Sequence, residues 1–200
     1  MESFRQIIEF IKETDKLKGI LRHNSPIGLE RRENDAEHSW QLALMAVLLQ
    51  NYANEPVDIA KVVKMLLVHD LVEIYAGDVY FFDKKRDVEQ PEIERQAAKK
   101  LYQMLPKELG EELYKLWYEF EFEDTAENRF AKSIDRFAPT LMNYGNQGGT
   151  WKKYGVPYDV LIGKLQSIQK GSEMLWQETK SYIDEGVKKG WVKSESNPNI

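Results

Sequence analysis

The chain has 200 residues, a formal net charge of -5 and no cysteine. That length suits one domain with a sizeable buried core. The acidic balance gives no electrostatic basis for binding nucleic acid or a membrane surface, and the lack of cysteine excludes disulfides and thiolate zinc sites and suits a reducing cytoplasm.

Helical periodicity runs through almost the whole sequence. The N-terminus opens with charges, MESFRQIIEF, rather than an apolar signal region. Phe4, Ile7, Ile8 and Ile11 follow the i, i+3, i+4, i+7 spacing of an amphipathic helix. Asn34 or Asp35 can cap the second helix, with Glu37 near its positive end, and the helix runs on through WQLALMAVLLQNYA. Its apolar stretch, Leu42 to Leu49, falls far short of the roughly 20 residues that span a bilayer, so a soluble cytoplasmic protein is expected. Asp58 can cap a third helix, predicted to continue through Leu66 and Leu67 to a stop at Gly77.

The segment VYFFDKKRDVEQ lacks helical period and reads as a loop. Pro91 suits the first turn of a helix reaching Leu105. Beyond Pro106, Leu109, Leu113, Leu116, Trp117 and Phe120 mark another helix. Phe130, Ile134, Phe137 and Leu141 mark a further one, with a bend expected near Pro139. NYGNQGGTWKKYGVP reads as an extended irregular segment. From Asp159 one long helix is predicted through Leu161, Leu165, Ile168, Leu175 and Ile183. The expected fold is all-α: one domain over residues 1–200, with a motif core at about 17–141 and a C-terminal loop and helix at 142–190.

One stretch breaks the apolar logic. LLVHDLVEIYAGD, Leu66 to Asp78, sets His69, Asp70 and Glu73 in a helix that otherwise looks buried. An unpaired charge in a core costs several kcal/mol or loses its ionisation, so a compensating cation is the leading explanation. His69 and Glu73 are four residues apart and share a helix surface. Neighbouring His69 and Asp70 diverge by about 100° yet can both reach an ion lying between them. Further ligands must come from elsewhere. The chain has only three histidines; His38 lies in the first turn of the second helix, and Asp135 lies beside an apolar stripe. Two imidazoles and two carboxylates make a mixed nitrogen and oxygen set suited to Mn, Fe, Co, Ni or Zn. Taken singly, each has a plainer reading as a hydrogen-bonded core residue. For Glu73 that reading is a solvated helix end, and for Asp78 a turn residue after glycine.

The order His38, His69-Asp70, Asp135 on separate helices resembles the H…HD…D signature of the HD-domain phosphohydrolases, and most closely their 5'-deoxynucleotidase branch. Arg22 in LKGILRHN, the RRENDAEH run before His38, and the glutamate and Gly-Asp after the HD pair all match that branch. The match extends from about Leu17 to Asp135. The resemblance implies an HD-type helical bundle in which His38, His69, Asp70 and Asp135 hold one divalent transition ion. Glu73 and Asp78 would then position water and handle protons, and Arg22 would hold a substrate phosphate. The implied substrate is a small phosphomonoester, a (deoxy)nucleoside 5'-monophosphate, and the implied assembly is a homodimer, with Leu175-Trp176 as a candidate apolar patch.

From the residues alone, Arg31 and Arg32 are equal candidates for the phosphate grip. His23 stands where the matched branch commonly has tryptophan, so base and sugar contacts are expected to differ. Trp151 or Tyr144 can either cover a nucleobase or anchor their loop. Two alternatives stay open: a triphosphate or alarmone hydrolase, which would need more basic residues, and a non-catalytic module with a structural ion, which would not need Glu73 or Asp78.

Overall fold

The computed structural model describes residues 1–82 and 89–194. Among them there is no β-strand; only the isolated bridges Leu21–Asn34 and Pro157–Lys193 occur. The helices are α1 (Glu2–Thr14), α2 (Asp35–Leu49), α3 (Ile59–Val68), α4 (Glu73–Ala76), α5 (Gln90–Tyr102), α6 (Lys107–Phe122), α7 (Ala126–Gly145), α8 (Gly149–Tyr154), α9 (Tyr158–Leu165) and α10 (Glu173–Lys188). The all-α expectation holds. No helix among the described residues is long and apolar enough to cross a membrane.

Local chemistry sets the helix starts. Asn34 is the N-cap of α2 and forms a reciprocal capping box: Glu37 N–H donates to Asn34 Oδ1 at 3.0 Å, and Asn34 N–H donates to Glu37 Oε2 at 3.3 Å. Asp58 caps α3 by accepting from the Ala60 and Lys61 amides. Pro91 sits in the first turn of α5. α3 lies at the centre, packed against α2, α6 and α7, and α10 packs on the far side of α7. Val62, Met65 and Leu66 of α3 meet Leu42, Ala46, Trp117, Phe130 and Ile134 in one continuous apolar core. The motif residues sit where this core reaches the surface.

Four expectations need correction. The third helix does not run unbroken to Gly77: α3 ends at Val68, His69–Val72 form a 3₁₀ turn, and α4 follows. All four residues of that turn are buried, and a wider α-helix would have turned part of the segment outward. The supposed irregular segment is largely helical, because α7 continues to Gly145 and α8 occupies Gly149–Tyr154. α7 contains Pro139, as the Phe130–Leu141 spacing implies; the missing N–H there leaves the Asp135 carbonyl without its i+4 donor.

The long C-terminal helix is divided. α9 gives way to a 3₁₀ turn at Gln166–Lys170, Gly171 interrupts, and Ser172 caps α10 by accepting from the Leu175 amide at 3.2 Å. A Cβ at Gly171 would collide with the Arg129 carbonyl, so the chain crosses α7 here with no room for a side chain. Leu175 is buried and Trp176 packs against the core, which removes the pair as a free apolar patch. The VYFFDKKRDVEQ expectation falls partly on residues 83–88, outside the described residues.

Gly171 and Gly163 make a paired test. Gly163 lies exposed in α9 with open space around its Cβ position, so Gly163→Ala should stabilise by about 0.5–1 kcal/mol through helix propensity. Gly171→Ala should destabilise by about 1–3 kcal/mol by overpacking. Thermal unfolding of both variants should move the midpoint in opposite directions, by roughly 2–4 °C per kcal/mol.

Candidate functional site

The 3₁₀ turn brings the HD pair against α2 and α7. His38 is fully buried on the first turns of α2, and Asp135 reaches in from the middle of α7. His38 Nε2 lies 3.1 Å from Asp135 Oδ1, and His69 Nε2 lies 3.8 Å from the same oxygen. Asp70 places Oδ1 3.1 Å from His69 Nε2 and Oδ2 3.9 Å from His38 Nε2. One ligand atom from each of His38, His69 and Asp135 falls within 4.8 Å of the others, close enough to hold a metal ion. Asp70 borders this group but turns Oδ2 toward Arg22, which donates to it from Nη1 at 2.9 Å.

The histidines are oriented from behind. The Leu66 carbonyl lies 2.9 Å from His69 Nδ1 and fixes that nitrogen as the donor; buried Nε2 faces the carboxylates, close to Asp70 and Asp135 but without a well-aligned hydrogen bond. Glu33 Oε2 lies 3.5 Å from His38 Nδ1 on the side away from Asp135. A carbonyl or carboxylate behind each imidazole is the usual outer support of a metal-binding histidine. The donor chemistry and the poorly aligned Nε2 among carboxylates therefore fit a divalent cation of the nitrogen- and oxygen-preferring group.

The electrostatics point the same way. Burial alone would lower His38 and His69, and Arg22 lowers His38 further. Contact of His38 with Asp135 and Glu33, and of His69 with Asp70 and Asp135, outweighs this and raises both. Burial would raise Asp70 and Asp135, yet the imidazoles, with Arg22 beside Asp70, hold both carboxyls below the usual range. Positive charge is strongly favoured among these four side chains. Glu73 differs: burial first, then the charges of Asp70 and Asp35, drive its carboxyl well above the usual carboxylate range. Burial and Asp70 push Asp35 up to about 6.

Arg22 is the cation aimed into the site. Its backbone is clamped, with Arg22 N–H donating to the Glu33 carbonyl and Glu33 N–H to the Asn24 carbonyl, each at 2.9 Å. Its side chain meets Asp70, Asp35 (3.5 Å) and Glu33 (3.5 Å). Arg31 instead forms an exposed fork to Glu37 at 2.8 and 2.7 Å. Arg32 turns to the Leu21 and Arg22 carbonyls and braces the strap from outside. The three arginines, equal in sequence, are unequal in space.

Arg22, His69, Asp70, Glu73, Asp78 and Asp135 line one cavity, together with His23, Tyr80, Thr140, Asn143, Thr150 and Trp151. Trp151 is buried in the core and borders the cavity. Tyr144 stacks on Tyr182 at 4.2 Å and donates to Glu185, so it anchors α7 to α10 rather than covering a base. His23 is half-buried against Tyr80, with ring centroids 4.9 Å apart. Buried Glu33 and Asp35 were missed as site residues. Beside an N-cap, both look like partners of the helix dipole, and only the fold reveals that they surround Arg22 and His38.

Comparison with known proteins agrees with this geometry. An HD domain family model matches residues 14–176. The 5'-deoxynucleotidase HDDC2 of Bos taurus is 31% identical over 179 residues, covering 85% of this chain and 84% of that protein. The Homo sapiens HDDC2 match is 30% identical over 133 residues and spans 66% of this chain but 64% of that protein's length. Among solved structures, a protein of Magnetospirillum magnetotacticum MS-1 described as a predicted metal-dependent phosphohydrolase superposes with a TM-score of 0.91. It is 42% identical, over 96% of each chain. With His38, His69-Asp70 and Asp135 gathered on α2, the HD turn and α7, and the family model spanning most of the sequence, the chain belongs to the HD-domain family.

Proposed function

We propose that the protein is a metal-dependent phosphomonoesterase acting on deoxynucleoside 5'-monophosphates, with one divalent ion held by His38, His69, Asp70 and Asp135. The observation that carries this reading is the meeting of His38, His69 and Asp135 at the wall of the cavity that Arg22 and Glu73 line. The likeness to 5'-deoxynucleotidases supports the substrate class. A divalent ion supplies Lewis acidity, which draws negative charge from phosphoryl oxygens and makes water more acidic.

The chain's own groups perform the rest. Arg22 presents a planar fork of N–H donors suited to phosphate oxygens, and its contact with Asp70 keeps that fork inside the cavity. Glu73, held toward its protonated form, is placed to give a proton to the leaving 5'-oxygen. Asp78, on the cavity wall after Gly77, is the second carboxyl within reach of the substrate. Arg22 is the one arginine of the strap directed at the carboxylates, which favours a single phosphoryl group over a triphosphate. The partly exposed cavity beside a buried protonatable carboxyl favours catalysis over a purely structural ion.

Measuring metal content and phosphate release together tests this division of roles. Asp70→Ala should lose both metal and activity. Glu73→Gln should keep the metal and slow turnover by about 10²–10⁴-fold, as expected for loss of one acid or base group. Equal metal loss in the two variants would make Glu73 a ligand and defeat the assignment.

Arg22→Ala should lower kcat/KM by roughly ten- to a hundredfold, the equivalent of a charge-assisted contact of about 1.5–3 kcal/mol. Arg22→Lys should recover only part of the loss, because an ammonium lacks the fork. Arg31→Ala serves as the control and should stay near wild type. An inert Arg22→Ala would overturn the phosphate-gripping role.

A further inference from the structure

One part of the cavity is not used by metal or phosphate chemistry. Asn143, buried near the end of α7, accepts at Oδ1 from the Thr150 backbone N–H at 2.8 Å and from the Thr150 hydroxyl at 2.9 Å. Both acceptor sites of the amide oxygen are therefore occupied, and the amide cannot flip without losing two hydrogen bonds. Its NH₂ group is the half left to donate outward. Thr150 Oγ has given its proton to Asn143 and keeps its lone pairs. The Tyr80 hydroxyl lies buried beside Thr150 and makes no well-formed hydrogen bond. A buried hydroxyl served only by this poorly aligned Thr150 neighbour has hydrogen-bonding capacity left for a ligand or water.

Aromatic rings flank this row. Tyr80 packs on His23 at 4.9 Å and on Tyr154 at 4.8 Å, and the Tyr154 hydroxyl is 3.1 Å from His23 Nδ1. Tyr80, Thr150 and Asn143 are uncharged, and they share the cavity with Arg22 and the HD turn. None of these three side chains itself carries a positive charge to hold a second phosphate. A flat, neutral ring with hydrogen-bonding groups on its edge would find both stacking surfaces and polar partners.

We propose that Tyr80, Thr150 and Asn143 form a base-reading site, in which the Asn143 amide and the Tyr80 and Thr150 hydroxyls contact the polar edge of a nucleobase, with the Tyr80 ring held in place by His23 and Tyr154. The proposal rests on the phosphomonoesterase reading and deepens it. Asn143, with its NH₂ turned outward by Thr150, favours a base that offers a carbonyl oxygen.

Tyr80→Phe and Thr150→Val each remove hydroxyl chemistry with little change of volume. The measured quantity is the ratio of kcat/KM for a deoxynucleoside 5'-monophosphate to that for deoxyribose 5-phosphate, which lacks a base. Calorimetric binding of the corresponding deoxynucleosides, which lack a phosphate, runs in parallel. In each variant we expect the ratio to fall about five- to tenfold and deoxynucleoside binding to weaken to match, the loss expected for about one hydrogen bond. A ratio and a deoxynucleoside affinity unchanged in both variants would overturn the proposal while leaving the phosphomonoesterase reading intact. A wild-type protein that hydrolyses neither ester, yet binds deoxynucleosides in a Tyr80- and Thr150-dependent way, would sustain the base site and defeat the hydrolase reading. Thr150→Val tests the hold on Asn143 without truncating it, and Tyr80→Phe leaves α7 and α8 untouched, so one misfolded variant does not decide the outcome.

Discussion

The structure turns on a charge imbalance at the end of its core. Glu33, Asp35, Asp70, Glu73 and Asp135 crowd around two imidazoles and the Arg22 guanidinium. Removing that many carboxyls from water is expensive unless positive charge or protons accompany them. The chain answers in three ways. It threads Arg22 inward on a strap clamped to Glu33. It raises Glu73 and Asp35 toward their protonated forms, and it raises both histidines. A divalent cation among the histidines and carboxylates would relieve the same imbalance, and could take the place of the imidazole protons.

The 3₁₀ turn at His69–Val72 is the backbone counterpart of that arrangement. A short tightened stretch inside a helix often marks a functional position. Here it buries four successive residues, so that Leu71 seals the core while His69, Asp70 and Val72 border the cavity. Gly77, at φ +77, ends α4 and sends Asp78 to the cavity wall rather than into a further turn.

How much of this was legible in the sequence depends on the kind of signal. Caps are local: Asn34 with Glu37, and Asp58, could be read directly because their hydrogen bonds lie within three residues, and Pro91 because its fixed φ suits a first helical turn. The order of His38, His69-Asp70 and Asp135 was legible as a pattern. The break at His69 was not, since α and 3₁₀ turns use the same residue types. The interruption at Gly171 was hidden because the apolar stripe from Leu165 through Ile168 to Leu175 keeps its spacing across it; the cause is a close approach to the Arg129 carbonyl, which no local pattern records. Glu33 and Asp35 were hidden because burial of an acidic residue beside a cap depends on what α4 and the Arg22 strap bring to it. The choice among Arg22, Arg31 and Arg32 was likewise a matter of tertiary direction.

The central claim is that His38, His69, Asp70 and Asp135 converge on one ion. Crystals grown with manganese or zinc, with diffraction collected at an energy where the metal scatters anomalously, test it most directly. The account predicts a single strong anomalous peak bounded by both Nε2 atoms and by the two aspartate carboxylates, with Arg22 and Glu73 outside the coordination sphere. A peak elsewhere, or a metal held without the HD pair and Asp135, would contradict it.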